Sequence, residues 1–220
     1  SDSIVEKSVF AYDTERPYNI ISKSSLCSGG AEQVERTYYS NNTIPDKESL
    51  TTSQRSAIQL LTSRNYLTTP VQQTMEKKDK RLYSVLRGYS SSLSSGMVVE
   101  DQYYCKGTDK YEKRISYNKY DIYGNPVYIN KDGAEKVVYL WGYKGQYLLA
   151  EIKGATYEEV KKALTMDPAS MSSCILPSIP LYLNMIDNLY KALPSALITS
   201  YTYHPLIGAS GIISPNKAKT

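Results

Sequence analysis

The sequence predicts a mainly β chain with a few helices, laid out as an antiparallel β-meander of hairpins. Three observations predict it. There are 22 Tyr against one Phe and one Trp in 220 residues, and Tyr favours pleated, half-buried surfaces where its ring packs and its hydroxyl reaches water or a partner. Runs rich in Tyr, Val and Ile recur between Gly, Pro, Asn and Asp turn signals. Only three stretches carry the apolar stripe of a helix. A chain so rich in Tyr and so poor in Phe implies thin sheets with wet faces, because a thick core would draw more on Phe and Leu.

The elements follow in order. Lys7 to Asp13 and Tyr18 to Ser22 read as strands on either side of Thr14-Glu15-Arg16-Pro17, and Gln33 to Ser40 follows the turn signal Ser28-Gly29-Gly30. A helix is expected over 52–64, where Ala57, Ile58, Leu60 and Leu61 form a stripe, and it must stop before Thr69-Pro70. The basic run Lys77-Lys78-Asp79-Lys80-Arg81 reads as a solvated turn. Strands are expected at Arg81 to Tyr89, Met97 to Cys105 and Lys113 to Tyr120, with the flexible Ser90 to Gly96 between the first two. Pro126 to Asn130 and Lys136 to Leu140 flank Asn130-Lys131-Asp132-Gly133, and Asp132-Gly133 is a tight-hairpin signal. Tyr147 to Lys153 is a further strand. Thr156-Tyr157-Glu158-Glu159 has the form of a capping box opening a helix over 156–165, with Tyr157, Val160 and Leu164 on its apolar face. Another helix is expected over 180–193, between Pro180 and Pro194, and a strand over Ala196 to Leu206. The last strand reads as two faces, with Leu197, Thr199, Tyr201 and Tyr203 on one and the more polar Ile198, Ser200, Thr202 and His204 on the other.

These elements sort into a tyrosine-rich β region with one inserted helix, 1–110, and a hairpin region with two helices and a C-terminal strand, 111–220. Hydrophobic residues are 41% and charged residues 22%, values of an ordinary folded chain. The net charge of +4 is spread along the chain, which is not the concentrated basic footprint of a nucleic-acid binder. No apolar run approaches the roughly 20 residues of a transmembrane helix. Cys27, Cys105 and Cys174 stand far apart with no C-x-x-C pair, which argues against a structural zinc site. Their odd number argues against a disulfide framework; one bridge is compatible with three cysteines, and sequence does not choose its partners.

Catalytic motifs are scarce. His204 is the one histidine, too few for a histidine metal site, and no nucleophile elbow, P-loop or dinucleotide fingerprint occurs. Glu158-Glu159 is explained by helix capping. Glu100 and Asp101 are neighbours on a strand, so they point to opposite faces. The expectation is a chain with no catalytic residues, no metal and no cofactor.

Tyr120-Asp121-Ile122-Tyr123-Gly124-Asn125-Pro126 carries the most informative motif. Tyr ends a strand, Asp can accept backbone N–H groups in the turn, Gly supplies a positive φ, and Asn-Pro starts the next strand. The motif resembles the YD-x-x-G-N core of RHS/YD repeats. Three longer stretches, Leu61 to Val71, Val138 to Leu164 and Leu193 to Ala209, resemble segments that recur in the same order in one subgroup of large bacterial RHS/YD-repeat surface proteins. Residues 165–180 look like an insertion between the helices. The resemblance implies a β-strip of YD-repeat type, a role for Tyr120, Asp121, Gly124 and Asn125 in the repeat turn, and placement at the bacterial cell surface, wall or exterior. It implies a non-catalytic structural or interaction segment whose partners are the rest of a longer YD-repeat chain and a surface glycan or protein. The alternative function is a carbohydrate-binding module, with Trp141, Tyr143, Tyr201 and Tyr203 as stacking candidates. The polar beginning and end of the chain read as those of a piece of something longer. The last strand is expected to present an unpaired edge, and so either to fold back between earlier strands or to form a homodimer through that edge.

Overall fold

A computed structural model describes residues 7–26, 30–91, 96–173, 179–204 and 208–215. The chain divides into two compact units, Ser1–Ser90 with Val99–Arg114, and Ser91–Val98 with Ile115–Thr220. Twelve strands among the described residues follow chain order in the sheet, each next to its sequence neighbours. The mainly antiparallel β-meander with a few helices is therefore the observed fold.

In the first unit, β1 (Ser8–Tyr12), β2 (Ile20–Leu26), β3 (Glu32–Tyr39), β4 (Pro70–Lys77) and β5 (Lys80–Ser90) pair antiparallel in succession. β6 (Val98–Lys106) follows, and β7 (Glu112–Tyr120) starts in this unit and ends in the other. The helix α1 (Thr52–Ser63) connects β3 to β4 and buries Ala57, Ile58 and Leu61. Its fourth buried residue is Gln54 rather than Leu60, which is only partly covered. Thr51 and Gln54 form a capping box that sets the start of the helix, a T-x-x-Q signal present in the sequence.

The sequence reading passed over β4. Its Gln72 and Thr74 are buried polar residues, so the apolar–polar alternation that marks a half-buried strand is missing. The turn after it is Lys78-Asp79, with φ +49 and +57. It joins Lys77 to Lys80, the closing pair of a two-residue hairpin, and the mirror-image turn follows the twist of its strands even without glycine. The basic run is thus a hairpin turn, with Arg81 drawn into an ion pair rather than left in solvent.

In the second unit, β8 (Pro126–Lys131), β9 (Glu135–Gly142) and β10 (Tyr147–Lys153) continue the antiparallel order. Next come α2 (Tyr157–Leu164), a 3₁₀ turn (Pro168–Ser173), α3 (Ile179–Ala192), β11 (Leu197–His204) and β12 (Gly208–Ile213). The core lies between the helices and the sheet, built from Val138, Leu140, Ile152, Val160, Leu189 and Ile198 among others. Met171 of the 3₁₀ turn belongs to it, so part of the segment 165–180 is packed structure.

The unpaired edge expected of the last strand is corrected. β11 is paired on both sides, Ile152↔Ile198 with β10 and Tyr201↔Ile212 with β12. Leu197 to Ser200 pairs with β10 and Ser200 to His204 with Gly208–Ile213, a stretch too glycine-rich to read as a strand, so the two partners take different halves of β11 and overlap at Ser200. The face of Ile198 and Ser200 is the core face, with both side chains buried, while Leu197 is 58% exposed. Small polar Ser200 lies on that face and is buried all the same.

The excess of tyrosine has a structural use. Hydroxyls of Tyr39, Tyr89 and Tyr203 donate to the backbone carbonyls of Ile20, Pro70 and Leu148 at 3.0, 2.8 and 2.7 Å. The rings pair as well, Tyr83 on Tyr104 and Tyr117 on Tyr120, at 6.0 and 6.1 Å between centroids. Phe would pack in these places but would leave the carbonyls without that donor.

Candidate functional site

The Tyr120–Pro126 stretch forms the turn between β7 and β8. Asp121 is almost wholly buried. Its Oδ1 accepts the backbone N–H groups of Tyr123 and Asn125 at 2.9 and 2.8 Å, and its Oδ2 accepts from the Asn125 side-chain amide at 3.0 Å. Gly124 takes φ +85 between them. The Asn125 amide also donates to the carbonyl of Gly145 at 2.8 Å, in the β9–β10 turn. A Cβ on Gly145 would stand 2.6 Å from that amide and 2.8 Å from the Tyr123 ring. Tyr120 is buried beside the turn. The motif therefore builds a rigid loop and fastens it to the neighbouring hairpin. Asp132 and Gly133, with φ +48 and +72, make the turn between β8 and β9.

The stacking candidates separate. Trp141 donates its indole N–H to the carbonyl of Pro126 at 2.8 Å, anchoring β9 to the start of β8. Tyr143 and Tyr203 meet at 6.3 Å, and both meet Tyr147, at 5.1 and 4.7 Å. Tyr147 was missed in the sequence; it is 36% exposed, and only the approach of β11 to the β9–β10 hairpin makes it the centre of a three-ring cluster. Tyr201 is half-buried on β11.

No family model matches the chain, and no curated protein is detectably similar to it in sequence.

Two further polar clusters belong to the first unit, and neither was legible in the sequence. The Asp46 carboxylate receives Arg81 at 2.5 Å, the Tyr111 hydroxyl at 2.9 Å and the Gln72 amide. The Ser84 hydroxyl in turn donates to the Tyr111 oxygen, at 2.6 Å. Burial alone would raise the Asp46 pKa, but the hydrogen bonds from Gln72, Tyr111 and Arg81 outweigh it and hold the carboxyl below its ordinary value. Burial, helped by the Asp46 charge, pushes the Tyr111 phenol well up. Cys105 is a buried free thiol 2.9 Å from the Asp109 carbonyl, raised chiefly by burial. Cys27 and Cys174 lie outside the described residues.

In the second cluster, Gln54 Nε2 donates to Glu100 and Asp101, each at 3.0 Å, and Lys113 reaches Asp101 at 2.9 Å. Tyr103 lies within hydrogen-bond distance of Gln54 Oε1 and Asp101 Oδ2, at 3.3 and 3.2 Å. Both Glu100 and Asp101 are thus engaged by one glutamine amide.

In the second unit a groove of about 670 Å³ runs beside the YD turn, lined by Lys119, Tyr120, Asp121, Tyr157 and Asp167. Lys119 sits 4.7 Å over the Tyr157 ring, whose hydroxyl bonds to Asp167. Among the described residues no three His, Cys, Asp or Glu side chains gather as metal ligands, and no helix is long and apolar enough to cross a membrane.

Proposed function

We propose that the chain is a non-catalytic structural and interaction segment of a bacterial surface or secreted RHS-like YD-repeat protein. The observation that carries the reading is the tie from Asp121 through Asn125 to the Gly145 carbonyl. Each residue of the YD-x-x-G-N motif has a mechanical task there: Tyr120 packs, Asp121 gathers the loop's N–H groups, Gly124 turns it, and Asn125 fastens it to the next hairpin. A turn that locks onto its neighbour is what a strip of stacked hairpins needs, and the strand order of this chain suits such a strip. Surface labelling tests the reading. Antibodies against the chain should label intact cells of the source bacterium, and external protease should remove the signal. Labelling only after permeabilisation would overturn it.

A second reading, a carbohydrate-binding surface, is favoured by the convergence of Tyr143, Tyr147 and Tyr203 around an exposed ring. Stacking on aromatic faces is a recurring means of holding flat, apolar ligand surfaces. Glycan-array binding that disappears in Tyr147→Ala but survives Trp141→Phe would support it. Absence of binding to any glycan would reject it.

A further inference from the structure

The helix α1 turns two faces to its surroundings. Ala57, Ile58 and Leu61 are buried, while Thr52, Arg55, Ser56, Gln59 and Thr62 recur at helical spacing as a polar stripe. That stripe is one wall of an open groove of about 720 Å³, and the segment 40–48, between β3 and α1, is the other. Ile44 and Ile58, 6 and 8% exposed, give the groove an apolar lining. Both walls are held in place. Thr62 Oγ1 donates to the Ser40 carbonyl at 2.8 Å, the Ser40 hydroxyl to the Tyr66 carbonyl at 2.7 Å, and Arg55 Nη1 to the Leu50 carbonyl at 2.9 Å. A groove between fixed walls binds without a large ordering cost, and its volume falls within the roughly 300–1,000 Å³ of small-molecule sites. The Arg55 guanidinium is engaged by Glu48, at 3.1 Å, as well as by Leu50. Two cations, Lys47 and Arg55, stand against one carboxylate, Glu48, so the groove carries one positive charge in excess, on Lys47. Among the described residues the side chains of Thr43, Lys47, Ser56 and Gln59 make no hydrogen bond. Together they offer an ammonium, two hydroxyls and an amide beside an apolar surface.

We propose that this groove binds an acidic sugar, a uronic acid residue of a polysaccharide, with its carboxylate on Lys47 and its hydroxyls on Ser56 and Gln59. Each feature of the ligand answers a feature of the groove. The single surplus charge suits a monoanion. A phosphate, with about two charges at neutral pH, would meet one ammonium and a guanidinium whose fork is already occupied. Serine hydroxyls and a glutamine amide both donate and accept, as sugar hydroxyls do. The C–H face of a pyranose ring is apolar and packs on Ile44 and Ile58. An acidic peptide would supply the carboxylate but not the ring hydroxyls. The groove belongs to the first unit and the tyrosine cluster to the second, so this site depends neither on that cluster nor on placement at the cell surface.

Amide NMR titration of the whole chain with trigalacturonate tests it. Shift changes should saturate and should gather in residues 42–48 and 52–62. Lys47→Gln alters an exposed side chain with no hydrogen bond to lose, so the far-UV spectrum should stay the same while affinity falls about tenfold, the usual worth of a hydrogen bond to a charged group. Neutral galactotriose should bind more weakly than trigalacturonate. So should triglutamate, which has the charges but no sugar ring. Tyr147→Ala should bind as the unmodified chain does. If Lys47→Gln fails to fold, the shift map and the two control ligands on the unmodified chain decide. No saturable shifts, shifts centred elsewhere, unchanged affinity in Lys47→Gln, equal binding of either control ligand, or loss of binding in Tyr147→Ala would each overturn the proposal.

Discussion

Single residues carry unequal weight in the turns of this molecule, and two glycines show why. Gly133 and Gly145 have nearly the same backbone angle, φ +72 and +75. Nothing lies within 4 Å of a Cβ on Gly133, while one on Gly145 would overlap Asn125 and Tyr123. Gly133→Ala should therefore cost only the left-handed backbone penalty, about 1 kcal/mol. Gly145→Ala should cost about 2 kcal/mol more, because it also pushes the YD loop off its neighbour. Urea unfolding of both variants checks the order, and equal midpoint shifts would contradict the tie between the loops. Asp121→Ala strips three donors of their acceptor in a buried place and should cost on the order of 3 kcal/mol. The same measurement reads it.

At the scale of elements, polar side chains as well as the buried Ala57, Ile58 and Leu61 set how α1 and the segment before it meet the strands. Gln54 caps its own helix with Oε1 and reaches Glu100 and Asp101 with Nε2. A Cβ on Gly88 would fall 2.4 Å from its Cδ, so the strand is bare where the glutamine crosses it. Thr51→Ala should cost about 1 kcal/mol, the value of a lost cap. Gln54→Ala should cost more, since it removes the cap partner and also the donor to two carboxylates; a thermal melt showing the reverse order would sink this account. The Asp46 cluster adds a pH dependence of defined sign. Its folded pKa lies below its ordinary value of 3.8. The stabilisation is complete above that value and fades as pH falls through the folded pKa, because the unfolded chain takes up the proton first. Acid unfolding curves should show this loss at low pH, and Asp46→Asn should flatten it.

For the whole molecule the test lies in how protection is spread along the meander. β10 pairs with Leu197 to Ser200 and β12 with Ser200 to His204, so protection in β11 should centre on Ser200, and the amides that point at a partner strand should exchange slowly even in a monomer. β12 and β1 are the outer strands and should exchange faster. Free exchange over 198–203 would contradict the pairing. The far-UV spectrum should be dominated by strand.

The local pieces of this protein are legible in neighbouring residues. Hairpin turns, helix starts and the class of fold rest on short-range physics: Asp132-Gly133 tolerates positive φ, Thr156 and Glu159 close a capping box, and the Val, Ile and Tyr runs suit a pleat. The YD turn was legible for the same reason, since Asp121 bonds within four residues of itself. Its link to Gly145, 20 residues away, was not. Which residues meet across such distances depends on how the whole chain packs. Gln72 and Gln54 are buried, and the approach of Asp46, Ser84, Tyr111 and Asp101 makes that burial tolerable by giving the side-chain amides partners. Tyr147 became the centre of an aromatic cluster only once β11 had come to lie beside β10, and Gly208–Ile213 became a strand only because β11 offered it a row of backbone partners. Local preference is written in neighbouring residues; the burial of a polar group depends on a partner that the chain delivers from far away.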